Sequence, residues 1–207
     1  MGTKSKAKRK LRLVKAGPKL LKLDLACGQK VEDGFEGVDL FAEQAKWNVD
    51  LLKFPWPWPD NSVGEARCSH FIEHIPMVYV HNGSWSPWPH EGKELFFRFF
   101  EELYRVMHKE GSAKIIWPAH KSDRAFQDPT HRRFVPQQAL AYLNKAWRED
   151  QKLTHGAYDI KCNFVGDIVH SCPTDLLALA PEVQARRFNE SWNTIFDFIA
   201  TLKPIKE

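Results

Sequence analysis

The chain has 207 residues, of which 43% are hydrophobic and 27% charged. That leaves room for one well-cored domain rather than two and excludes a disordered chain, while the lack of any apolar run near the roughly 18 residues of a membrane-spanning helix argues against membrane association. Thirty Lys and Arg stand against 26 Asp and Glu, but nine of the basic residues and no acid fall within residues 1–22, leaving 21 against 26 beyond them.

The basicity therefore belongs to an N-terminal arm, residues 1–17, expected to be flexible. It lacks the apolar core and small-residue cleavage site of a secretory signal, which points to a cytoplasmic protein. Such an arm is either solvated or makes weak contacts with nucleic-acid phosphates through residues 4–22. Residues 18–207 read as a single domain. After the Gly17-Pro18 break, the Leu-rich stretch 19–27 is expected to be a buried strand. The seven residues 29–35 contain an Asp-Gly turn and cannot hold a long crossover helix. Short strands follow at 36–41 and 47–52. Three prolines within 55–59 make a loop, and a fourth strand is expected at 65–71. Residues 77–93, with Trp85 and Trp88, form an irregular aromatic insertion. Over 94–107, Leu95, Phe96, Phe99, Leu103, Val106 and Met107 recur at helical spacing, with Gly111 as the stop and a fifth strand at 113–117. Pro136 opens a helix expected to run through Trp147. Segments 158–170 and 192–202 are strand candidates around a helical stretch at 181–188, although Ile195, Phe198, Ile199 and Leu202 also suit a helix. Alternating strands and helices in one domain indicate an α/β sheet covered by helices.

Four cysteines, Cys27, Cys68, Cys162 and Cys172, form no CxxC pair. This argues against a zinc knuckle or a disulfide framework and for a reduced compartment; no metal is expected. Cys27 and Cys68, in apolar runs, read as small core residues.

In open parallel sheets, ligands bind outside the carboxyl ends of the strands near the switch point. Asp24 and Gly28 stand at the end of the first strand and Asp39 at the end of the second. A glycine lets backbone approach a ligand, and a strand-end acid can accept hydrogen bonds from ribose hydroxyls. Only one glycine of a GxGxxG is present, so these residues acquire meaning from their order. The series Leu23-Asp24-Leu25-Ala26-Cys27-Gly28, Gly34-Phe35-x-Gly37-Val38-Asp39, Asp50-Leu51-x-x-Phe54-Pro55, Asp60-Asn61-Ser62-Val63 and Ser69-His70-Phe71-Ile72-Glu73-His74-Ile75 resembles the class I S-adenosylmethionine-dependent methyltransferases. It is most similar to their compact branch, in which a short connection replaces the first helix. The resemblance continues through Phe100-Glu101-Glu102-Leu103-Tyr104-Arg105-Val106, Gly111 and Asp128-Pro129-Thr130-His131-Arg132.

The resemblance implies a Rossmann-like methyltransferase fold, with a mostly parallel central sheet of about six to seven strands and helices on both faces. It also implies an enzyme that moves a methyl group from S-adenosyl-L-methionine to an O or N atom of an acceptor, releasing S-adenosyl-L-homocysteine. Asp24 and Gly28 would border the methionine portion of the cofactor and Asp39 the ribose. Asp50 would accept from the adenine amino group, with Leu51 beside the ring, and Ser69 and His70 would face the methyl group. Ala26, Cys27 and Leu40 complete the cofactor set, Ala26 standing where the family usually has glycine.

A general base is needed only if the acceptor must lose a proton, and the candidates are His70, Glu73, His74, Asp128 and His131, with His131 and His70 ranked first. Residues 70–74 also spell HxxEH, a zinc-peptidase motif that requires both histidines on one helix. The aromatic insertion and the Pro-Trp loop at 55–59 would flank the acceptor site, with Trp85 and Trp88 as its lid. From another class, the chain could be a binding protein that keeps a nucleotide-type fold and holds nucleic acid with its basic arm. No Asn-Pro-Pro-Tyr base-methylation motif is present, which disfavours an adenine or cytosine amino target.

Overall fold

The structure, a computed structural model, describes residues 19–81, 84–86 and 93–206. The basic arm lies outside them, as does Trp88 of the expected lid. The first strand, β1 (Leu21–Leu25), alternates its leucines with Lys22 and Asp24, yet Leu23, Asp24 and Leu25 are all buried at its carboxyl end, because strands pack on either side of it and the sheet is covered on both faces there. Next come β2 (Glu36–Asp39), the two-residue β3 (Trp47–Asn48) and β4 (Val63–Ser69). The aromatic insertion expected to be irregular forms a small antiparallel sheet from β5 (Tyr79–His81), β6 (Ser84–Ser86) and β7 (Lys93–Glu94). The long helix α1 (Leu95–Val106) then leads directly into β8 (Met107–Pro118).

The principal sheet is completed by β9 (Phe164–Ser171) and β10 (Asp197–Pro204) and runs in the order β3-β2-β1-β4-β8-β10-β9. Neighbours from β3 to β8 pair in parallel, while β10 is antiparallel to both β8 and β9. The chain thus reverses its order of travel between β1 and β4, which is the switch point where an open sheet leaves a crevice at its carboxyl edge.

Several sequence expectations need correction. Gly111 does not stop α1; the helix ends at Val106, and Gly111 lies within β8, where an added Cβ would come within 2.8 Å of the Gly64 carbonyl oxygen. The helix expected over 136–147 divides into a 3₁₀ segment, Gln137–Leu143, and a short helix, α2 (Lys145–Asp150), because Asn144 is extended and its side chain caps the Trp147 amide at 2.8 Å. Two further helices, α3 (Thr174–Leu177) and α4 (Pro181–Glu190), join β9 to β10. The ambiguous segment after them is a strand, with Phe198, Ala200 and Leu202 buried in alternation.

The Pro-Trp loop, expected to flank the acceptor site, turns its tryptophans inward. Trp56 and Trp58 are buried in the core, edge-on to one another at 5.8 Å, with Trp58 against Trp47 and Trp56 against Phe99 of α1. Two polar residues of α1 tie the loop down. Glu102 accepts from the Trp56 amide at 2.5 Å and pairs with Arg105, whose guanidinium donates to the Trp56 and Trp58 carbonyls. Among the described residues no helix is long and apolar enough to cross a membrane.

At the other side of the sheet, His120 stacks on Phe198 at 5.9 Å while His170 meets the same ring edge-on at 5.4 Å. Burial pushes both imidazoles below the usual histidine range, with Lys121 adding to the effect at His120. A histidine held neutral contributes stability that is present above its unfolded pKa and lost as pH falls through its lowered folded value. Acidification below about pH 6.5 should therefore lower the melting temperature. In a His120→Gln/His170→Gln protein that decline should be shallower, whereas parallel melting-temperature profiles for the two proteins would exclude this linkage.

Candidate functional site

The residues singled out at the ends of β1 and β2 meet at the sheet's carboxyl edge. Asp39 is the organiser. One carboxylate oxygen accepts from the Phe41 and Ala42 amides at 2.8 and 3.0 Å, and the other from the Gly28 amide at 3.0 Å. Burial alone would raise its pKa, but these amides and that of Leu40 outweigh it and hold the carboxyl below its usual range. The oxygen that faces Gly28 takes one hydrogen bond, from that amide, whereas a carboxylate oxygen can accept two. Ala26 and Gly28 both adopt left-handed backbone, with φ of 53° and 56°, and an added Cβ at Gly28 would face open space. Ala26 accepts a conformation that costs a residue with a Cβ about 1–2 kcal/mol.

Asp24 is fully buried and both of its oxygens are engaged, by Arg67 at 2.9 Å and by the Glu32 amide at 2.8 Å. Its part is to fix the turn that follows β1. Cys27, expected in the core, is only half-buried, and its thiol is raised by burial and by the carboxylates of Asp39 and Asp24, so it is a poor nucleophile at neutral pH. Leu40 is exposed, next to the Asp39 turn. Asp50 accepts from the Leu52 amide at 3.0 Å, and Leu51 is buried, its carbonyl accepting from the Trp56 indole at 3.1 Å.

β4 lies beside β1, with Leu25 in register with Cys68, so Ser69 and His70 come level with the residues just beyond β1. His70 also has left-handed backbone, φ 54°. Only a single 3₁₀ turn, Ile72–His74, follows it. The two histidines of HxxEH thus do not share a helix face, and the zinc-peptidase arrangement is absent.

The five acid–base candidates nonetheless converge. Glu73 is buried, and its Oε1 lies 3.2 Å from His70 Nδ1 and 3.9 Å from His131 Nε2. The hydrogen bond to Glu73 raises the pKa of His70 against the opposing effect of burial. The rings of His74 and His131 meet edge-on at 4.7 Å. Asp128 reaches His74 through Thr130, whose hydroxyl donates to the carboxylate at 2.7 Å and lies 3.1 Å from His74 Nδ1. What joins the two loops is backbone: the Arg132 and Arg133 amides donate to the Glu73 carbonyl at 2.8 and 3.1 Å. A cleft of about 700 Å³ adjoins this junction, walled by Met77, Phe96, Phe97, Phe134 and Tyr142 together with Arg132.

Arg67, Thr130 and Asp197 escaped sequence reasoning. Arg67 was accessible in principle, because the parallel register of β1 and β4 places it opposite Asp24. Asp197, buried and 4.0 Å from His70 Nε2, comes from β10, far away in sequence.

No family model matches the chain, and no curated protein matches it. Among solved structures, it is similar to an S-adenosylmethionine-dependent methyltransferase from Archaeoglobus fulgidus, with a TM-score of 0.53 and 18% identity over 89% of this chain and 86% of that one. A second such enzyme, from Mesorhizobium loti, gives 0.45 and 15% over 88% and 90%; the YcgJ protein of Bacillus subtilis gives 0.47 and 12% over 91% and 93%. The first of these likenesses, with the strand order, places the chain in the Rossmann-like methyltransferase fold.

Proposed function

We propose that this chain is an S-adenosylmethionine-dependent methyltransferase acting on an O or N atom of its acceptor. The observation that carries the reading is the mouth of the sheet at β1 and β2. There the Gly28 amide and the Asp39 carboxylate are locked together beside open space, and the Asp39 oxygen that faces Gly28 can accept from a second donor. A nucleoside ribose fits that position through a hydroxyl donor. In this reading Asp24, Ala26, Cys27 and Gly28 shape the methionine end, Asp39 and Leu40 the ribose end, and Asp50 and Leu51 the adenine end, while Ser69 and His70 look toward the reacting centre.

The cofactor, when bound, supplies a sulfonium-activated methyl group that needs no further activation. The chain's contribution is to align the acceptor for in-line attack and to exclude water. Where the acceptor carries a proton, His70 is the base best placed to take it. Glu73 accepts from Nδ1–H and so orients the ring, which leaves Nε2 without a hydrogen bond, its nearest acid being Asp197 at 4.0 Å, an arrangement of base and orienting carboxylate that recurs in acyl-transfer triads. His131 is less suited, because its Nε2 faces Glu73. The cleft beside Arg132 would hold the acceptor, its aromatic walls covering apolar surface.

Melting the full chain with S-adenosylmethionine and with S-adenosylhomocysteine tests the reading. At a hundred times the dissociation constant, either ligand should stabilise the fold by about 2.7 kcal/mol, which is a rise of about 5–10 °C for a domain of this size. Melting temperatures unmoved by both ligands would overturn it.

A further inference from the structure

The mechanism leaves part of Glu73 unused. The side chain is 1% exposed, and while Oε1 faces His70, Oε2 has no partner among the described residues. Buried carboxylate oxygens are rarely left so, and such an orphan calls for an ion or another donor. Around it stand two imidazoles: one ligand atom from each of Glu73, His74 and His131 lies within 4.8 Å of the others.

The hydrogen bonds around both rings fix their tautomers. His131 Nδ1 is 2.8 Å from the Ala125 carbonyl, which can only accept, so the proton sits on Nδ1 and Nε2 carries a lone pair. The Thr130 hydroxyl spends its proton on Asp128 and can offer His74 Nδ1 only an acceptor, with the Thr130 carbonyl at 3.4 Å as a second. His74 is therefore also protonated on Nδ1 and unprotonated on Nε2. Histidine ligands of metal sites are held in this way, by a carbonyl or by a hydroxyl backed by a carboxylate on the far nitrogen.

We propose that Glu73, His74 and His131 form a binding site for a divalent transition-metal ion, with zinc the best match, through one carboxylate oxygen and two Nε2 atoms. Magnesium and calcium favour oxygen-only shells, whereas two imidazoles with one carboxylate suit zinc and its first-row neighbours. Bonds of about 2.0–2.2 Å set tetrahedral ligand atoms roughly 3.4 Å apart. A carboxylate oxygen of Glu73 and a nitrogen of each ring lie within 4.8 Å of one another, so side-chain rotations must close the set to that spacing, with Oε2 the oxygen not engaged by His70. Three protein ligands leave a fourth position open, as in sites where an ion binds water or substrate. An acceptor hydroxyl placed there would lose its proton more readily; this last role rests on the methyltransferase reading, but the binding of the ion does not.

Tag-free full-length protein, stripped with a chelator and dialysed, should bind one zinc ion per chain when titrated with zinc chloride in a calorimeter. Cobalt(II) in its place should give the visible absorption of a four-coordinate ion. His74→Ala, His131→Ala and Glu73→Gln should each lower zinc affinity by more than the roughly 10- to 100-fold that loss of an outer-shell partner costs. His74, only half-buried, carries the test if the other variants fail to fold. The stabilisation by S-adenosylhomocysteine, measured on His74→Ala and His131→Ala, should be unchanged, so that failure of the metal site and failure of the methyltransferase reading are told apart. Absence of stoichiometric zinc binding, or binding that all three variants retain, would overturn the proposal.

Discussion

Asp39→Asn is expected to weaken binding of S-adenosylhomocysteine by about 10- to 100-fold while costing less stability than Asp39→Ala. The asymmetry follows from how the carboxylate is used. In the asparagine variant the remaining carbonyl oxygen can still accept from the Phe41 and Ala42 amides, so the turn after β2 stays capped. The amide nitrogen takes the place of the oxygen that faces Gly28, where it can accept neither from that backbone amide nor from a ribose hydroxyl. A hydrogen bond to a charged acceptor contributes about 1.5–3 kcal/mol, which is one to two decades of affinity. Asp39→Ala should match that loss and add a fall in melting temperature, because all three amides then lose their acceptor. Calorimetric titration of folded Asp39→Asn decides the matter: affinity equal to that of the parent chain would remove Asp39 from the ligand site.

The largest effect on stability should come from Glu102→Ala, at about 2–4 kcal/mol. Glu102 is buried on α1, while the side chain of its partner Arg105 is 28% exposed. Truncation leaves the Trp56 amide without its acceptor and takes from Arg105 one of its two carboxylates, the guanidinium keeping Asp60 at 2.6 Å and the two tryptophan carbonyls. Breaking a fully buried pair costs about 3–5 kcal/mol, and the partial exposure of Arg105 lowers that range. For a domain of this size the melting temperature should drop by about 5–15 °C. Glu102→Gln, which can still accept from Trp56, should lose less. A fall under about 1 kcal/mol for the alanine variant would mean that the Pro-Trp loop is held by its tryptophans alone.

The parts of the fold that could be read directly were those in which side-chain pattern and environment agree. The leucines of β1 and the apolar spacing from Leu95 to Val106 required one structure each. The segment 137–143 was less legible because a 3₁₀ turn and an α-turn place apolar residues at nearly the same intervals, and only Asn144, read as a cap, marks the break. The strand β10 has apolar residues at both helical and alternating intervals, and pairing with β8 and β9 decides between them. At the site, the residue types were legible and their meeting was not. Glu73 and His131 come together through amides of Arg132 and Arg133, and main-chain hydrogen bonds leave no trace in side-chain chemistry. The tryptophans of the Pro-Trp loop misled for a different reason. Prolines signal a loop, but nothing in the letters says that a loop will be buried.

The placement of β10 between β8 and β9 has a consequence for how the molecule is made. On the ribosome, β9 emerges well before β10, yet it has no neighbour in the sheet until β10 has been inserted. Until residues 197–204 leave the exit tunnel, β8 therefore presents an unpaired edge bearing Ala113, Ile115 and Trp117, side chains that are buried in the finished fold. Such an edge is a template for strand addition by other chains. Nascent chains stalled before residue 197 should therefore depend on chaperones and aggregate without them, and those released after residue 204 should not.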